Sequence, residues 1–461
     1  MNSNNNNGVE NGASFDDSAW KIKPSVMASN VVNPIRRIVD GMKITPNPEK
    51  ELIRLTIGDP SVFGNLDPSV ECINAVAEAT KSGKFNGYPA SMGSVEARQA
   101  VADYSSAMGV PVTAQDVILT SGCSQSLEIV ISLLANPGQN ILIPRPGFPL
   151  YTTLAKSIGV ETKYYELQPE TEWSVDLESL SNSIDEKTAA VIFNNPSNPC
   201  GGNFTLEHMR DIIDICYANK IPIVADEVYE HVVYNGARYN SFAEVSKTVP
   251  VFAVSSISKR FLVPGWRLGW VLVHDRMGAI THETRQSLIA LTQRTLGPSS
   301  LLQGALPVIL KNAPQSTFDH TNRLLEENAK TFCELLSQMP GLTPIKPSGA
   351  MYLMVKIDVE CFPDFESDVT FTERLMMEES VFCLPASCFS YPGYFRIVLS
   401  VPRDKVEESC ERISQFCHRH YLHEVPTPLN QDGNPITYPT KTKSFNRISS
   451  SIYLMTDQKE Q

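Results

Sequence analysis

Lys259 stands in a run that could do chemistry: Ser256, Ile257 and Ser258 precede it, and Arg260 to Pro264 lead into Gly265, Trp266, Arg267, Leu268 and Gly269. A lysine held in a partly apolar pocket loses basicity and becomes a usable amine nucleophile. The bare residue says little, since most lysines are surface charges. Asp226 ends the apolar run Ile221-Pro222-Ile223-Val224-Ala225. A carboxylate there is desolvated and calls for a cationic partner; a structural ion pair or a helix cap is the plainer alternative. Tyr229, three residues on, faces the same way in a helical turn, unless it is ordinary core packing. Gly122, Cys123 and Ser124 open a helix directly after another apolar run. Free N–H groups and the helix dipole make such a position an anion site, though many such turns carry Gly and Ser only for capping. Asn198 follows a fourth run in the same way.

The elements that must position these residues are legible as an alternation. The short runs Val117-Ile118-Leu119, Ile141-Leu142-Ile143, Val191-Ile192-Phe193, Ile221 to Val224 and Val251 to Val254 are each followed by polar residues and then a helical stretch. Runs this short and this apolar suit strands buried on both faces of a mostly parallel sheet. Leu127, Val130, Ile131 and Leu134 have helical spacing, as do Met209, Ile212, Ile213 and Cys216 after Thr205, a predicted N-cap. Strand, helix, strand, repeated, predicts a doubly wound α/β core. Ligands bind such a sheet beyond the carboxyl ends of its strands. The polar residues after the runs therefore converge on one rim: a lysine, an acid, a phenol, an amide and a glycine-containing helix start. After about residue 335 the pattern changes, and Met351 to Val355 and Phe395 to Leu399 read as strands of a smaller α+β unit.

The division expected along the 461 residues is an N-terminal extension over 1–18, a segment over 19–75 joining the smaller unit, a large unit over 76–330, the smaller unit over 331–425, and a flexible tail over 426–461. Lys+Arg 39 against Asp+Glu 51 gives a net charge of −12, which argues against a nucleic-acid binder but leaves room for a local basic pocket. The ten cysteines form no C-x-x-C pair and read as reduced thiols. No uninterrupted apolar stretch of about 18 residues is present, so no membrane helix is expected. Residues 1–20 lack lysine and arginine and carry Glu10, Asp16 and Asp17. They fit neither a secretory nor a mitochondrial leader, and the expected address is the cytosol. No repeat of about 20–50 residues is found.

The segment around Lys259 resembles the lysine signature of the class I pyridoxal-phosphate aminotransferases: a small residue, two positions, Lys, then Arg267, an aliphatic residue and Gly269. Asn198-Pro199-Cys200-Gly201 is similar to the family's Asn-Pro-Thr-Gly element, with Cys200 in place of Thr. Asp226-Glu227-Val228-Tyr229 is similar to its Asp-Glu-x-Tyr element, and Tyr88 with Gly93 to its Tyr-x4-Gly element. The resemblance covers roughly residues 20–425. It implies a fold-type-I enzyme, with a large doubly wound domain, a smaller α+β domain and pyridoxal phosphate as cofactor. Residues 57–66, 194–201 and 259–267 resemble, within the family, the branch that transaminates tyrosine with 2-oxoglutarate as acceptor.

By that resemblance, Lys259 carries the cofactor covalently and moves the proton as general base and acid. Asp226 pairs with the ring nitrogen, and Tyr229 and Asn198 reach the ring's phenolic oxygen. Gly122, Cys123, Ser124, Ser256 and Arg267 take the phosphate. Tyr88 reaches it from a neighbouring subunit, which implies a homodimer. Phe148 stacks on the ring; a core phenylalanine is its alternative. Arg396 grips the substrate α-carboxylate, for which its planar fork is suited, with Asn198 and Gly58 also on the substrate side. An exposed strand arginine and a plain turn glycine are the alternatives for Arg396 and Gly58.

The residues leave other readings open. Another amino-acid transaminase and a carbon–sulfur lyase would use the same fold, and a non-catalytic regulator would bind the same cofactor. No second arginine for a distal carboxylate is fixed; Arg294 is near the right stretch, but its spacing to Pro298 does not match. Cys417, His418, His420 and His423 could be drawn into a zinc site, but a helix end closed by basic residues is the expected reading. No metal is expected.

Overall fold

A computed structural model describes residues 21–42 and 45–422. The extension over 1–18, the tail over 426–461 and His423 lie outside the described residues.

The apolar runs form one eight-stranded sheet. β1 (Ile53–Arg54) lies elsewhere; the sheet contains β2 (Val117–Thr120), β3 (Asn140–Arg145), β4 (Glu161–Gln168), β5 (Ser174–Val175), β6 (Thr188–Asn194), β7 (Ile223–Asp226), β8 (Val251–Ser256) and β9 (Gly269–His274). Their order is β2-β9-β8-β7-β6-β3-β4-β5. β4, β3, β6, β7 and β8 pair parallel, whereas β9 runs against both of its neighbours and β5 against β4. Successive residues feed two different cores. Val191 and Phe193 belong to one, with Met209, Ile212 and Leu306; Ile192 belongs to the other, with Leu127, Val130 and Ile131. A strand covered on both faces has no polar face to alternate with, which is why these runs are continuously apolar.

The expected helices are present. Cys123–Leu134 buries Leu127, Val130 and Ile131, and Thr205 caps Leu206–Asn219 by accepting from His208 N at 3.2 Å. Beyond the large sheet, β10 (Leu342–Ile345), β11 (Tyr352–Ile357), β13 (Leu384–Pro385) and β14 (Tyr394–Val398) form an antiparallel sheet in the order β10-β11-β14-β13. It shares a third core with Gln315–Leu336, Asp368–Glu379 and Arg403–His420. The fold is that of a mostly parallel doubly wound α/β sheet with a second, antiparallel α+β layer.

The stretch before residue 75 divides in space. Val26–Ser29 packs on the helix Leu150–Ser157 of the large unit, and Thr153 Oγ1 donates to Val32 O at 2.8 Å, whereas Pro34–Val39 lies against Ala386–Phe389, and β1 pairs parallel with β12 (Val381–Phe382) and buries Ile53 and Leu55 in the third core. The β1 attachment is reinforced by Lys50, whose Nζ lies 2.5 Å from a Glu379 carboxylate oxygen, and by Asn47 Nδ2, which donates to Glu378 O at 2.9 Å. Among the described residues no helix is long and apolar enough to cross a membrane.

Candidate active site

One cavity of about 710 Å³ opens where β2, β6, β7 and β8 end. Its wall contains Gly58, Cys123, Ser124, Phe148, Asn198, Asp226, Tyr229, Lys259, Arg267 and Arg396, so the fold brings together ten of the thirteen residues singled out from sequence.

At the floor, Asp226 ends β7 and is 3% exposed. Its carboxylate accepts from Tyr151 Oη at 2.6 Å, from Val228 N at 3.3 Å and from Cys123 Sγ at 3.5 Å. All three donors are neutral, and no lysine, arginine or histidine of the described residues pairs with it. Burial therefore pushes its pKa up, against the pull of those hydrogen bonds. Beside it, Asn194 fixes the turn that carries Asn198: its Oδ1 accepts from Asn198 N at 2.6 Å and its Nδ2 donates to Asp226 O at 2.9 Å.

An anion seat lies at the start of the helix Cys123–Leu134. Gly122 precedes this helix with φ 77°, and no side chain caps it. A Cβ on Gly122 would meet Arg267 Nη2 at 2.4 Å, and one on Gly269 would meet Cys123 N at 2.8 Å. Gly122 thus leaves room for Arg267 across the helix end, and Gly269 lets its own backbone approach that of Gly122 and Cys123. Its guanidinium donates to Ser121 O at 3.3 Å and to Pro264 O at 3.0 Å. Uncapped N–H groups beside a guanidinium suit a phosphate.

The substrate end is built around Arg396 on β14, which is 4% exposed. Nη1 donates to Asn198 Oδ1 at 2.9 Å and Nη2 to Thr56 O at 2.5 Å, while Nε is buried without a partner. The guanidinium lies over the Tyr352 ring at 4.3 Å and the Phe389 ring at 5.0 Å. No carboxylate of the described residues neutralises it, and burial lowers its pKa. Tyr352 Oη meets Tyr229 Oη at 2.6 Å, and burial followed by the Tyr352 contact pushes the Tyr229 phenol well above its ordinary value. A Cβ on Gly58 would lie 2.2 Å from Tyr352 Oη, so this glycine is required by close approach rather than by a turn. Gly58 O accepts from Lys259 Nζ. Phe148 reaches the cavity wall and packs edge-on against Tyr151 at 5.8 Å between centroids.

Three expected residues are placed differently. Ser256, the last residue of β8, is fully buried, and its hydroxyl accepts from Ser258 N at 3.2 Å; Ser258 reaches the cavity instead. Gly122 lies just behind the wall, under Arg267. Tyr88 is 89% exposed and borders a separate concavity with Lys84 and Phe85. Sequence reasoning missed Asn194, Tyr151, Thr56 and Tyr352. Tyr352 could have been found from strand parity, since it precedes Arg396's neighbour Met354 by two positions on β11 and so shares its face. Arg294 is not in the wall; it pairs with Glu128 at 3.8 Å. Of the residues weighed for a metal, Cys417 is buried in the third core and His420 lies between Asp364 at 2.6 Å and Glu378 at 3.0 Å. All ten cysteines are free thiols.

The wall thus carries five cationic side chains, Arg36, Arg54, Lys259, Arg267 and Arg396, against two acids, Asp59 and Asp226. An acidic protein with a cationic cavity is arranged for anionic small molecules. The buried acid, the amine and Arg267 stand on the carboxyl rim of the doubly wound sheet, and Arg396 faces them from β14 of the smaller sheet. The sequence profile of "Aminotransferase class I and II" matches residues 50–413, and the chain belongs to that family. It is similar to a tyrosine aminotransferase of Mus musculus, with 50% identity over 413 residues, 90% of this chain and 91% of the other. It is 35% identical over 374 residues to an S-alkyl-thiohydroximate lyase of Arabidopsis thaliana, covering 80% of this chain and 81% of the other. Among solved structures, tyrosine aminotransferase from Leishmania infantum superposes with a TM-score of 0.84 at 34% identity, covering 87% of this chain and 100% of that one.

Proposed function

We propose that this enzyme transfers the amino group of L-tyrosine to 2-oxoglutarate, giving 4-hydroxyphenylpyruvate and L-glutamate in two half-reactions, with pyridoxal phosphate as cofactor. The observation that carries the reading is a pair of buried charges of opposite sign, Asp226 and Arg396, in the wall of one cavity and without an ionic partner among the described residues. A buried charge without a partner is costly, so each awaits a ligand. A protonated ring nitrogen suits Asp226, and an α-carboxylate suits the free edge of Arg396. The anion seat of Arg267, Ser124 and the uncapped helix suits a phosphate, completing the fit to this cofactor.

When bound, pyridoxal phosphate supplies an aldehyde that takes up the amino group and a ring that draws off electrons from the substrate Cα–H bond. The chain's own residues do the rest. Lys259 provides the amine that holds the cofactor, and once displaced its Nζ takes and returns the Cα proton. Asp226 keeps the ring nitrogen protonated. Tyr229 and Asn198 serve the ring oxygen, Tyr229 through a hydroxyl already held by Tyr352. Arg396 fixes the α-carboxylate and thereby the direction in which Cα presents its hydrogen. Gly58 and Thr56 close the substrate side. The similarity to tyrosine aminotransferases supports tyrosine as donor.

The expected two-part division, a large cofactor-bearing unit over 76–330 and a smaller covering unit joined by 19–75, belongs to the same proposal. So do the cytosol, which ten free thiols support, and a homodimer in which Tyr88 completes the partner's phosphate site. An aromatic side chain 89% exposed on its own subunit supports that last role. Mixing Tyr88→Ala and Lys259→Ala subunits checks it. Each variant alone should be inactive, whereas random reassociation should restore about a quarter of the active sites if Tyr88 acts across a two-fold interface. No recovery from a mixture shown to exchange subunits would place Tyr88 outside the partner's site.

A half-reaction tests the function itself. Holoenzyme mixed with L-tyrosine alone should lose the visible absorption of its bound cofactor and release one equivalent of 4-hydroxyphenylpyruvate per site. The second reading, a carbon–sulfur lyase, is favoured by the similarity to the Arabidopsis lyase. It would be preferred if tyrosine left the spectrum unchanged while cysteine conjugates released pyruvate.

A further inference from the structure

Lys259 stands on a turn rather than in a strand or a helix. β8 ends at Ser256, and the next regular element, a short helical turn, begins at Pro264. Between them, Ile257 N donates to Leu268 O at 3.2 Å and Leu262 N donates to Lys259 O at 3.2 Å. No strand ladder crosses Lys259 itself, so neighbouring side chains must set the direction of its Nζ.

Arg260 is placed to do so from behind. It is 6% exposed and lies outside the cavity wall. Tyr104 Oη, at 2.8 Å from Nη1, is the only hydrogen-bond partner of its guanidinium among the described residues. The same hydroxyl lies 3.0 Å from Glu230 Oε1. A guanidinium accepts nothing, so the hydroxyl takes a hydrogen bond from Arg260 and gives its own proton to Glu230. Glu230 follows Tyr229, and its N–H closes a turn by donating to Glu227 O at 2.8 Å. One hydroxyl, carried by the helix Val95–Ala107, thus ties the turn bearing Lys259 to the turn bearing Asp226 and Tyr229.

The guanidinium also lies over the Phe318 ring at 4.4 Å and the Tyr104 ring at 5.7 Å. Phe318 stands on the helix Gln315–Leu336 and packs against the core of the large sheet, while Leu325, Ala329 and Phe332 of that helix enter the third core. The stop behind Arg260 is therefore rooted in both layers. Burial raises the Glu230 pKa, and the charge of Arg260 is the main influence opposing it. Opposite charges buried together are a costly way to fill a core that apolar side chains could fill. What they add here is direction, because the guanidinium must aim at one hydroxyl.

We propose that Arg260 is a positioning residue for Lys259, itself held in place by Tyr104 and Glu230. It keeps the backbone at 259 from turning, so that Nζ stays within reach of substrate Cα. This role rests on the reading of Lys259 as the carrier of that proton.

The test compares Arg260→Met, Arg260→Lys, Tyr104→Phe and the double variant Arg260→Met/Glu230→Gln, each as holoenzyme. In Arg260→Met the single-turnover rate with L-tyrosine should fall about 10- to 100-fold, the scale of a misplacement of about 1 Å, while the tyrosine concentration giving half-maximal rate changes less than about 3-fold. The visible circular dichroism of the bound cofactor, per unit of its absorbance, should fall with it. Tyr104→Phe keeps the ring under the guanidinium and loses only the hydroxyl, so the same two readouts should fall less, the rate by about 3- to 10-fold. Arg260→Lys should recover part of the rate lost with methionine. The double variant separates positioning from packing. It removes both charges, so the melting temperature lost in Arg260→Met should largely return while the rate stays low. A rate that returns with the melting temperature would make Arg260 a structural residue. Folded Arg260→Met or Tyr104→Phe with wild-type rate and dichroism would equally overturn the assignment. If the wild type fails to convert tyrosine, the proposed function falls instead, and the dichroism comparison still decides the role of Arg260.

Discussion

Replacing Lys259 by alanine is expected to lower transamination by about 10⁴-fold or more, the upper range for a positioned acid–base group. Its Nζ is the one amine in the wall, and no other side chain there can both carry the cofactor and move a proton at substrate Cα. The substitution also removes the hydrogen bond from Nζ to Gly58 O, so part of any loss could be structural. Lys259→Arg separates the two effects, because arginine keeps the charge and a donor but is too basic to cycle a proton. Both variants should be inactive. In each, Arg267, Asp226 and the helix end remain to hold the cofactor without a covalent bond, which dialysis and the visible spectrum would reveal. Full turnover by either variant would show that Lys259 is not the base.

The second large effect is expected at Asp226. Asp226→Asn should lower kcat by about 10²- to 10⁴-fold, because an amide cannot hold a proton on the ring nitrogen by charge. The same variant should have the opposite effect on the stability of cofactor-free protein. Burial raises the pKa of Asp226 in the folded chain above its unfolded value. The stability linked to that proton is complete below the unfolded carboxylate pKa and is lost as pH rises through the folded one. Cofactor-free wild type should therefore lose melting temperature relative to Asp226→Asn on going from about pH 4 to neutrality, and cofactor should narrow the gap. Identical pH dependences for the two apo proteins would mean that Asp226 is compensated by something other than its three neutral donors. Neighbouring Glu227 is pushed up to about 8 by burial and accepts from Ser241 and Phe242 away from the cavity, so both proteins share its contribution.

Much of this site was legible because the large sheet is covered on both faces. Continuous apolar runs such as Val251 to Val254 mark buried strands, and the residue after such a run must sit on the rim. That argument alone brought Asp226, Asn198 and Lys259 together. It is less sharp just beyond the strand end, where the chain turns. Ser256 and Ser258 are two apart, yet the chain turns after β8 and only Ser258 reaches the cavity. It failed on the substrate side, which is made by pairing distant segments. Thr56, Tyr352 and Arg396 come from β1's end, β11 and β14, and no local pattern announces that a carbonyl at 56 will hold a guanidinium at 396. Gly58 was expected on the substrate side, but its reason, the close approach of the Tyr352 hydroxyl, appears only in three dimensions.

The pairing of β1 with β12 has a consequence for synthesis. Lys50 and Glu379, which flank it, are 329 residues apart in sequence. The eight strands of the large sheet all lie before residue 275, so a chain leaving the ribosome can complete the amine and the anion seat while β1 still has no partner. At about 5–20 residues per second, that strand waits roughly 15–65 s for β12 to emerge. Over that interval Ile53 and Leu55 have no core to enter. A nascent chain is thus expected to acquire a seat for its cofactor well before it acquires any means of choosing a substrate.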